Sequence, residues 1–189
     1  MSEEEIEFVS DDWQLEQYHK AGNWHITWAL SADELLSASR LLRKHRYAFD
    51  YKKLRVGDDI PDEGKILSPE LMLRGFAIEC LLKALWVKRG GVICVDGKYT
   101  GVKGAGDHDL RQLAHVNGLR FTERQRDVLK RLSIYMTSVG RYPIAKDWRE
   151  TKSQRMLGGR KMFPTMWTTP SDDETCDSIV KIIYEELER

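Results

Sequence analysis

The segment between Ser68 and Gly90 constrains the fold of this chain more than any other part of the sequence. Ser68 can cap a helix, Pro69 suits its first turn, and Gly90 follows where a helix commonly ends. Apolar residues recur between them at helical spacing, at Leu73, Ala77, Cys80, Leu81 and Ala84. The sequence therefore predicts a helix from Pro69 to about Arg89 that packs its apolar face into a core.

Three other segments carry the signals of amphipathic helices. Each starts with a capping box, in which Ser or Thr is followed three residues later by Glu or Gln. The boxes are Ser31 with Glu34, Thr122 with Gln125, and Ser171 with Glu174. The apolar stripes comprise Leu35, Ala38, Leu42 and Phe49; Val128, Leu132, Tyr135, Met136 and Val139; and Cys176, Ile179, Ile183 and Leu187. With a shorter helix capped by Asp107, these segments predict an all-α fold, an antiparallel bundle of four to five helices.

The bundle has one predicted β insert and an acidic extension before it. Alternating residues flank Asp96-Gly97, which suits a type I′ turn, so a small β-hairpin is expected at about residues 91–104. Residues 1–27 carry an excess of acidic side chains and several aromatic rings. They predict a solvated tail or weak helix whose rings dock on the body. Residues 28–189 form the helical domain, a size that fits one domain.

The charge balance excludes attraction of a partner by the molecule as a whole. Thirty Lys and Arg residues face thirty Asp and Glu residues, so a nucleic acid or a membrane must be attracted by a local patch. No apolar run reaches the roughly 18 residues of a membrane span, and the acidic start is unlike a leader peptide. The three cysteines are far apart, which is typical of reduced thiols in the cytoplasm. We expect no membrane segment, no metal site and no cofactor.

Four motifs occur in order along the chain. They are W-x3-A-D-x-L-x2-A from Trp28 to Ala38, A-I-E-C-L-L-K-A-L from Ala77 to Leu85, H-D-L-x2-L from His108 to Leu113, and Y-x5-R-Y-P from Tyr135 to Pro143. In this order the motifs resemble the HEPN family of small helical-bundle proteins. The resemblance implies an up-and-down bundle that often dimerises and associates with nucleotides or RNA. Many members are ribonucleases of toxin-antitoxin, phage-defence or RNA-processing systems, and others are binding modules, often beside a nucleotidyltransferase.

The ribonucleases of this family use an Arg and a His separated by four to six residues, and Arg40 and His45 have such a spacing. They are the candidate catalytic pair of a metal-independent endonuclease. This spacing also arises by chance in most sequences of this composition, and on a straight helix the two side chains lie about 140° apart. His45 falls close to the stripe of Leu42 and Phe49, so the alternative is a packed or half-buried histidine. Around Arg141, where the family motif normally occurs, the sequence has no histidine.

A second candidate site combines cationic side chains from different helix ends. In a bundle, Lys83, His108 and Arg141 would gather in a small basic pocket that suits a phosphate. Arg141 offers paired donors, and Tyr142 can stack or hydrogen-bond beside it. For Arg141 the alternative is a favourable cation at a helix C-terminus, and Lys83 also has Glu79 as an i,i+4 partner on the helix surface.

The segment from 141 to 170 lacks helical periodicity and is rich in basic and aromatic residues. Its cations are Arg141, Lys146, Arg149, Lys152, Arg155, Arg160 and Lys161, against Asp147 and Glu150, and its rings are Tyr142, Trp148, Phe163 and Trp167. Cations for phosphates and rings for bases are typical of a surface for single-stranded nucleic acid. We therefore predict RNA contacts at Tyr142, Lys146, Trp148 and Arg149. The alternative is that the rings pin the loop to the bundle while the charges face water.

Together these features predict a HEPN-like binding module for nucleotides or RNA that forms a homodimer through an apolar helix face. Two other functions stay open: a metal-independent RNA endonuclease, and a non-catalytic protein-interaction partner in a defence or toxin-antitoxin pair. Binding needs only a cationic surface, whereas cleavage also needs a side chain that takes a proton from the 2′-hydroxyl.

Overall fold

A computed structural model describes residues 10–48, 66–139, 149, 152–155, 161–162, 167 and 170–189. Within these ranges the chain forms six α-helices, which are α1 (Asp11–Gly22), α2 (His25–Ala48), α3 (Leu67–Lys88), α4 (Leu110–Val116), α5 (Glu123–Ile134) and α6 (Ser171–Glu188). Two antiparallel strand pairs accompany them, β1 (Cys94–Val95) with β2 (Lys98–Tyr99) and β3 (Gln154–Arg155) with β4 (Lys161–Met162). The predicted all-α bundle with a small β-hairpin is confirmed.

Helix α3 is the centre of the bundle, because it contacts α2, α4, α5 and α6. Its apolar residues occupy most of its circumference, and those fully buried are Leu71, Ala77, Ile78, Leu81, Leu82, Ala84 and Leu85. The helix ends where predicted, with Gly90 at a φ of +88° just past its end. It begins two residues earlier than predicted, so Ser68 and Pro69 lie in the first turn and no side chain caps it. Proline is tolerated there because the first turn needs no intrahelical N–H donor.

The apolar faces of α5 and α6 pack into the same core. Val128, Leu132, Tyr135 and Met136 are buried, as are Cys176, Ile179 and Ile183. Thr122 and Gln125 form the predicted capping box, in which the Gln125 amide donates to the Thr122 hydroxyl and Gln125 Oε1 accepts from the Thr122 amide. After α5 the chain continues as one π-helical turn over Tyr135–Val139.

Besides that of α3, three predicted helix starts are wrong. Helix α2 begins at His25, upstream of Ser31, because no glycine or proline between them interrupts a run of adequate helix formers. Ser171 is the first residue of α6, and Pro170 precedes it without a side-chain cap. Asp109, not Asp107, caps α4 by accepting from the amides of the second and third helical residues.

The buried stripe of α2 also differs from the prediction. Ala32, Leu36, Ser39 and Arg46 are buried, whereas Leu35 is half-buried. The apolar periodicity favoured Leu35 because two of the residues that are actually buried, Ser39 and Arg46, are polar. In a sequence pattern, an arginine is normally assigned to the solvent-facing side of a helix. Phe49, which the prediction placed on the stripe, lies outside the described residues.

The predicted hairpin is present. Asp96 and Gly97 have φ values of +48° and +71°, which define the predicted type I′ turn, and Val95 pairs with Lys98. Helix α1 packs against this hairpin through Asn23, whose side-chain amide donates to the Cys94 carbonyl and accepts from the Cys94 amide. The second strand pair, β3 with β4, was not predicted.

The aromatic residues of the N-terminal extension dock only in part. Trp28 is half-buried, and its Nε1 donates to the Gly22 carbonyl at 2.8 Å. Trp13 and Trp24 stay 52% and 55% exposed, contrary to the docking prediction. No residue of α1 is buried, in agreement with a weak helix held at one end.

The described helices include none that is both long enough and apolar enough to span a membrane. Cys94 and Cys176 are buried, Cys80 is partly exposed, and all three are free thiols.

Candidate functional site

A groove of about 860 Å³ lies between α4 and α5. The residues lining it are Asp107, His108, Asp109, Arg111, Gln112, His115, Arg126, Lys130, Ser133, Ile134 and Thr137. A smaller hollow of about 320 Å³ adjoins it through Arg111, His115 and Arg126. We call the two together the α4–α5 groove.

The α4–α5 groove is basic. Its fixed cations are Arg111, Arg120, Arg126 and Lys130, and its only carboxylates are Asp107 and Asp109 among the described lining residues. Asp109 is used for capping α4. Within the described part of the chain, the side chains of Arg111 and Arg120 form no ion pair, and both are exposed. Among the described residues, the groove therefore presents two guanidinium groups, those of Arg111 and Arg120, that no carboxylate neutralises.

His108 lies at the edge of this groove and is held by a buried carboxylate. Its Nδ1 is 2.7 Å from Oε2 of Glu79, a residue of α3 that is only 4% exposed. A carboxylate accepts, so Nδ1 carries the hydrogen, and in the neutral imidazole Nε2 then has a lone pair. Within the described residues Nε2 has no hydrogen-bond partner. The edge of the Phe76 ring packs against the imidazole, with ring centroids 5.6 Å apart.

The backbone at His108 is strained. Its φ is +64°, in the left-handed region that residues with a Cβ seldom adopt. Outliers of this kind cluster at functional sites. The predicted position of His108 in the first turn of a helix is wrong, because the turn at residues 107–108 comes before the Asp109 cap.

Lys83 shares the Glu79 carboxylate. Its Nζ lies 2.5 Å from Glu79 Oε1 and 3.5 Å from Asp107 Oδ1, and it sits about equally close to the ring centroids of Trp28 (5.2 Å) and Tyr99 (5.1 Å). Burial by itself lowers the pKa of Lys83, but the Glu79 carboxylate outweighs this and raises it above its ordinary value. The predicted pair on the helix surface is thus a buried ion pair.

The structure brings together two of the three residues of the predicted phosphate pocket, and the binding of a phosphate there stays a prediction. Lys83 and His108 meet at one carboxylate, and Arg141 lies outside the described residues. Glu79 was not predicted as the group that joins them. The signals available were its i,i+4 spacing to Lys83 and its place in the A-I-E-C-L-L-K-A-L motif, but neither indicates a contact with a loop 29 residues away.

Arg40 and His45 both lie exposed on α2. Arg40 lines a cleft of about 310 Å³ between α2 and α6, together with Arg43 and Lys181, and His45 does not line it. The alternative of a packed or half-buried His45 is wrong. The two side chains do not share this cleft, as their angular separation on a helix predicts.

Of the predicted contacts in the basic and aromatic segment, Tyr142, Lys146 and Trp148 lie outside the described residues, and Arg149 is exposed. Trp167 is half-buried. Its Nε1 donates to Asp173 Oδ1 at 3.1 Å, and the Arg131 guanidinium lies 5.2 Å from its ring centroid. This ring pins its part of the segment to the bundle, which is the role that the alternative interpretation assigned to the rings.

A buried cluster of charges, which sequence reasoning missed, holds the bundle near Trp167. Arg46 and Arg74 each pair with both Glu70 and Asp173, at distances between 2.6 and 2.9 Å, and all four side chains are at most 5% exposed. Arg131 forms a paired contact with the neighbouring Asp172. Because two cations face two carboxylates in a dry environment, the cluster joins α2, α3 and α6 and has no surface to offer a ligand.

The fold and the groove define an all-α bundle protein with a groove rich in cationic side chains. Comparison with models of protein families, with curated proteins and with solved structures finds no match for this chain. These comparisons therefore neither support nor exclude the HEPN resemblance.

Proposed function

We propose that this chain is a HEPN-like, RNA-associated binding module whose α4–α5 groove holds the phosphates of a single strand. The observation that carries the proposal is the concentration of positive charge in one groove of a chain whose formal net charge is zero. Cations along a groove supply most of the affinity for single-stranded nucleic acid, whereas stacking rings add to it.

The groove suits a chain of phosphates better than a single phosphate. Arg111 and Arg126 belong to both adjoining hollows, Arg120 lines one of them and Lys130 the other, so the charge is spread along the groove. His115 is an exposed ring on which a base can stack.

Fluorescence anisotropy with a labelled single-stranded RNA of about 12 nucleotides tests this proposal. The double variant Arg111→Gln, Arg120→Gln should bind more weakly. The slope of log affinity against log salt should become shallower by roughly 1.4, or about 0.7 for each phosphate that the variant no longer neutralises. Lys20→Gln combined with Lys181→Gln removes the same charge from other exposed positions and serves as the control. Equal binding by wild type and the groove variant would refute the proposal.

A metal-independent endonuclease is the second candidate function, and the Glu79–His108 pair favours it. An imidazole whose Nδ1 donates to a carboxylate has its Nε2 available as a base. His108 Nε2 would take the proton of an RNA 2′-hydroxyl, the 2′-oxygen would attack the adjacent phosphorus, and the 5′-oxygen would leave. The cations of the groove would stabilise the charge that develops on the phosphate.

Incubation with end-labelled transfer RNA in the presence of EDTA separates the candidates. Loss of cleavage in His108→Asn would place the base at the groove, and Asn is chosen because it tolerates a positive φ. Loss in Arg40→Ala and His45→Ala would place catalysis at the pair predicted from spacing. Intact RNA after incubation with the wild type would remove the endonuclease function for this substrate.

The HEPN resemblance also implies a homodimer, a defence or toxin-antitoxin setting, and a partner such as a nucleotidyltransferase. These stay predictions of the proposed family membership. Sedimentation equilibrium tests the dimer, and the genes that neighbour this one test the setting.

A further inference from the structure

A second cavity of different character lies between α1, the start of α2 and the β1–β2 hairpin. This hollow has a volume of about 290 Å³, and its walls include Tyr18, Thr27, Trp28, Ser31 and Tyr99. Among the described residues that line it, none carries a formal charge. We call it the aromatic hollow. It is suited to an apolar or aromatic group, one edge of which can hydrogen-bond to the hydroxyls of its walls.

The walls of the aromatic hollow are fixed in place. Trp28 is held by its hydrogen bond to the Gly22 carbonyl, and the Tyr99 hydroxyl donates to Asp107. The Lys83 ammonium lies against both rings. Rings that are already held lose little freedom when a ligand binds, so the hollow is prepared for an insertion.

Exposed apolar residues are concentrated on the elements that form the hollow. Eleven large apolar residues of the described chain are exposed, and nine of them lie in residues 13–30 and 92–99. The elements that carry them touch, because α1 contacts both α2 and β1. Exposed apolar area that is concentrated in this way marks an interaction surface. We call the exposed surface of residues 10–34 and 91–99 the α1–hairpin face.

The α1–hairpin face is also acidic. Its exposed carboxylates belong to Asp11, Asp12, Glu16, Glu34 and Asp96, whereas the Asp33 carboxylate accepts from Tyr184 of α6. Only Lys20 and Lys98 oppose them among its Lys and Arg residues. The charge of this face is therefore opposite to that of the α4–α5 groove.

We infer that the α1–hairpin face docks a basic segment of a partner protein, which inserts one bulky apolar side chain into the aromatic hollow. The volume of the hollow is just below the range for small-molecule pockets, about 300 to 1,000 Å³. The exposed apolar area extends beyond the hollow, and a small molecule would leave it uncovered. A peptide segment with one anchoring side chain can fill the hollow and also cover the exposed apolar area around it. Aromatic anchor residues act in this way in protein interfaces.

The charge of the face argues against a second copy of this chain as the occupant. A symmetric dimer would set two acidic faces against each other, and like charges across an interface are unfavourable. Docking onto the basic groove of another copy would be a head-to-tail contact, which produces open chains unless the rotation closes. A basic segment of a different protein satisfies both the charge and the hollow.

Selection from a displayed library of random peptides, with the full chain as target, tests the inference. Enriched peptides should place a Trp, Phe, Tyr, Leu or Met beside Lys or Arg. Ala21→Phe tests the hollow, because Ala21 is exposed and lines it, so a larger side chain fills the space without disturbing the core. This variant should bind a selected peptide with an affinity lower by about tenfold or more. Ser37→Phe adds the same ring at an exposed position of α2 outside the hollow and should bind as the wild type does.

Three results would overturn the inference. They are the absence of any enriched peptide, the enrichment of acidic peptides, and equal binding by Ala21→Phe and Ser37→Phe. Sedimentation equilibrium adds a fourth, since a mass that falls from dimer to monomer in Ala21→Phe but not in Ser37→Phe would assign the face to a second copy. All of these readouts are independent of RNA binding.

Discussion

The Nδ1 atom of His108 lies 2.7 Å from Oε2 of Glu79, so a buried carboxylate of α3 holds an imidazole that lines the α4–α5 groove. The other oxygen of Glu79 lies 2.5 Å from Nζ of Lys83. One side chain thereby balances a buried ammonium and orients a candidate base. Stability and site geometry both depend on it.

Replacing Glu79 by Gln is expected to lower the free energy of unfolding by about 3 to 5 kcal/mol, because Lys83 would stay buried with only the more distant Asp107 carboxylate, 3.5 Å from its Nζ, to balance it. Urea unfolding followed by circular dichroism measures this. Adding Lys83→Met should recover part of the loss, since it removes the unpaired charge. The control Glu16→Gln breaks an exposed i,i+4 pair with Lys20 and should have little effect. A loss no larger than that of the control would contradict the buried pairing.

Asp173→Asn is expected to destabilise the chain by a similar amount, about 3 to 5 kcal/mol. Asp173 accepts from Arg46, Arg74, Tyr47 and Trp167, and an amide cannot balance two buried guanidinium groups. Asp177→Asn is the matched control, because Asp177 also pairs with an arginine but is 57% exposed, and it should cost about 1 kcal/mol or less. Similar midpoints of urea unfolding for the two variants would be inconsistent with the cluster.

The contribution of Asp173 should disappear in acid. Burial alone would raise its pKa, but the hydrogen bonds from Tyr47 and Arg46 outweigh this, and the pKa is lowered. A carboxyl of this kind stabilises the fold above its unfolded pKa, about 3.9, and the contribution is lost as the pH falls through the folded value. The difference in unfolding free energy between wild type and Asp173→Asn should therefore be complete at about pH 6 and shrink below about pH 4. A difference that stays constant on acidification would contradict the lowered pKa.

Gly97→Ala should destabilise the hairpin by about 1 kcal/mol or more, because Gly97 has a φ of +71° and a Cβ there would lie 3.0 Å from Leu15 Cδ1. Gly106→Ala is the control. Its φ is not in the left-handed region and no atom lies within 4 Å of the added Cβ, so it should be neutral or stabilising by up to about 1 kcal/mol. Thermal unfolding compares the two, and equal effects would count against the type I′ turn.

The apolar periodicity of the sequence predicted the faces of α3, α5 and α6, because burial of Leu81, Leu132 or Ile179 repeats every helical turn. The turn at Asp96-Gly97 was predicted for a similarly local reason, since few dipeptides accept two positive φ values. Helix starts were less predictable. Ser31 and Ser171 are of a residue type that commonly caps helices, but the residues around them also favour helix. Helix α2 therefore extends through Ser31, and α6 begins at Ser171 itself.

The charged contacts could not be predicted from local patterns. Arg46 and Asp173 are 127 residues apart, and their pairing depends on how α2 and α6 meet. The basic groove does have a signal in the sequence, because residues 111–131 contain six Lys and Arg against two acidic residues. A denser basic run follows residue 141, and the two runs look alike in sequence. Which cations line the groove and which form ion pairs depends on how α4 packs on α5, and the sequence alone does not show this packing.

The hydrogen bond between Tyr99 and Asp107 connects two surfaces, and Lys83, which lies against the Tyr99 ring and near Asp107, adds a second connection. Tyr99 is a wall of the aromatic hollow, and Asp107 lines the α4–α5 groove. A ligand that turns the Tyr99 ring would release the Asp107 carboxylate and make the mouth of the groove more negative. Thermodynamic reciprocity then requires that bound RNA lower the affinity for the peptide by the same factor by which the bound peptide lowers the affinity for RNA.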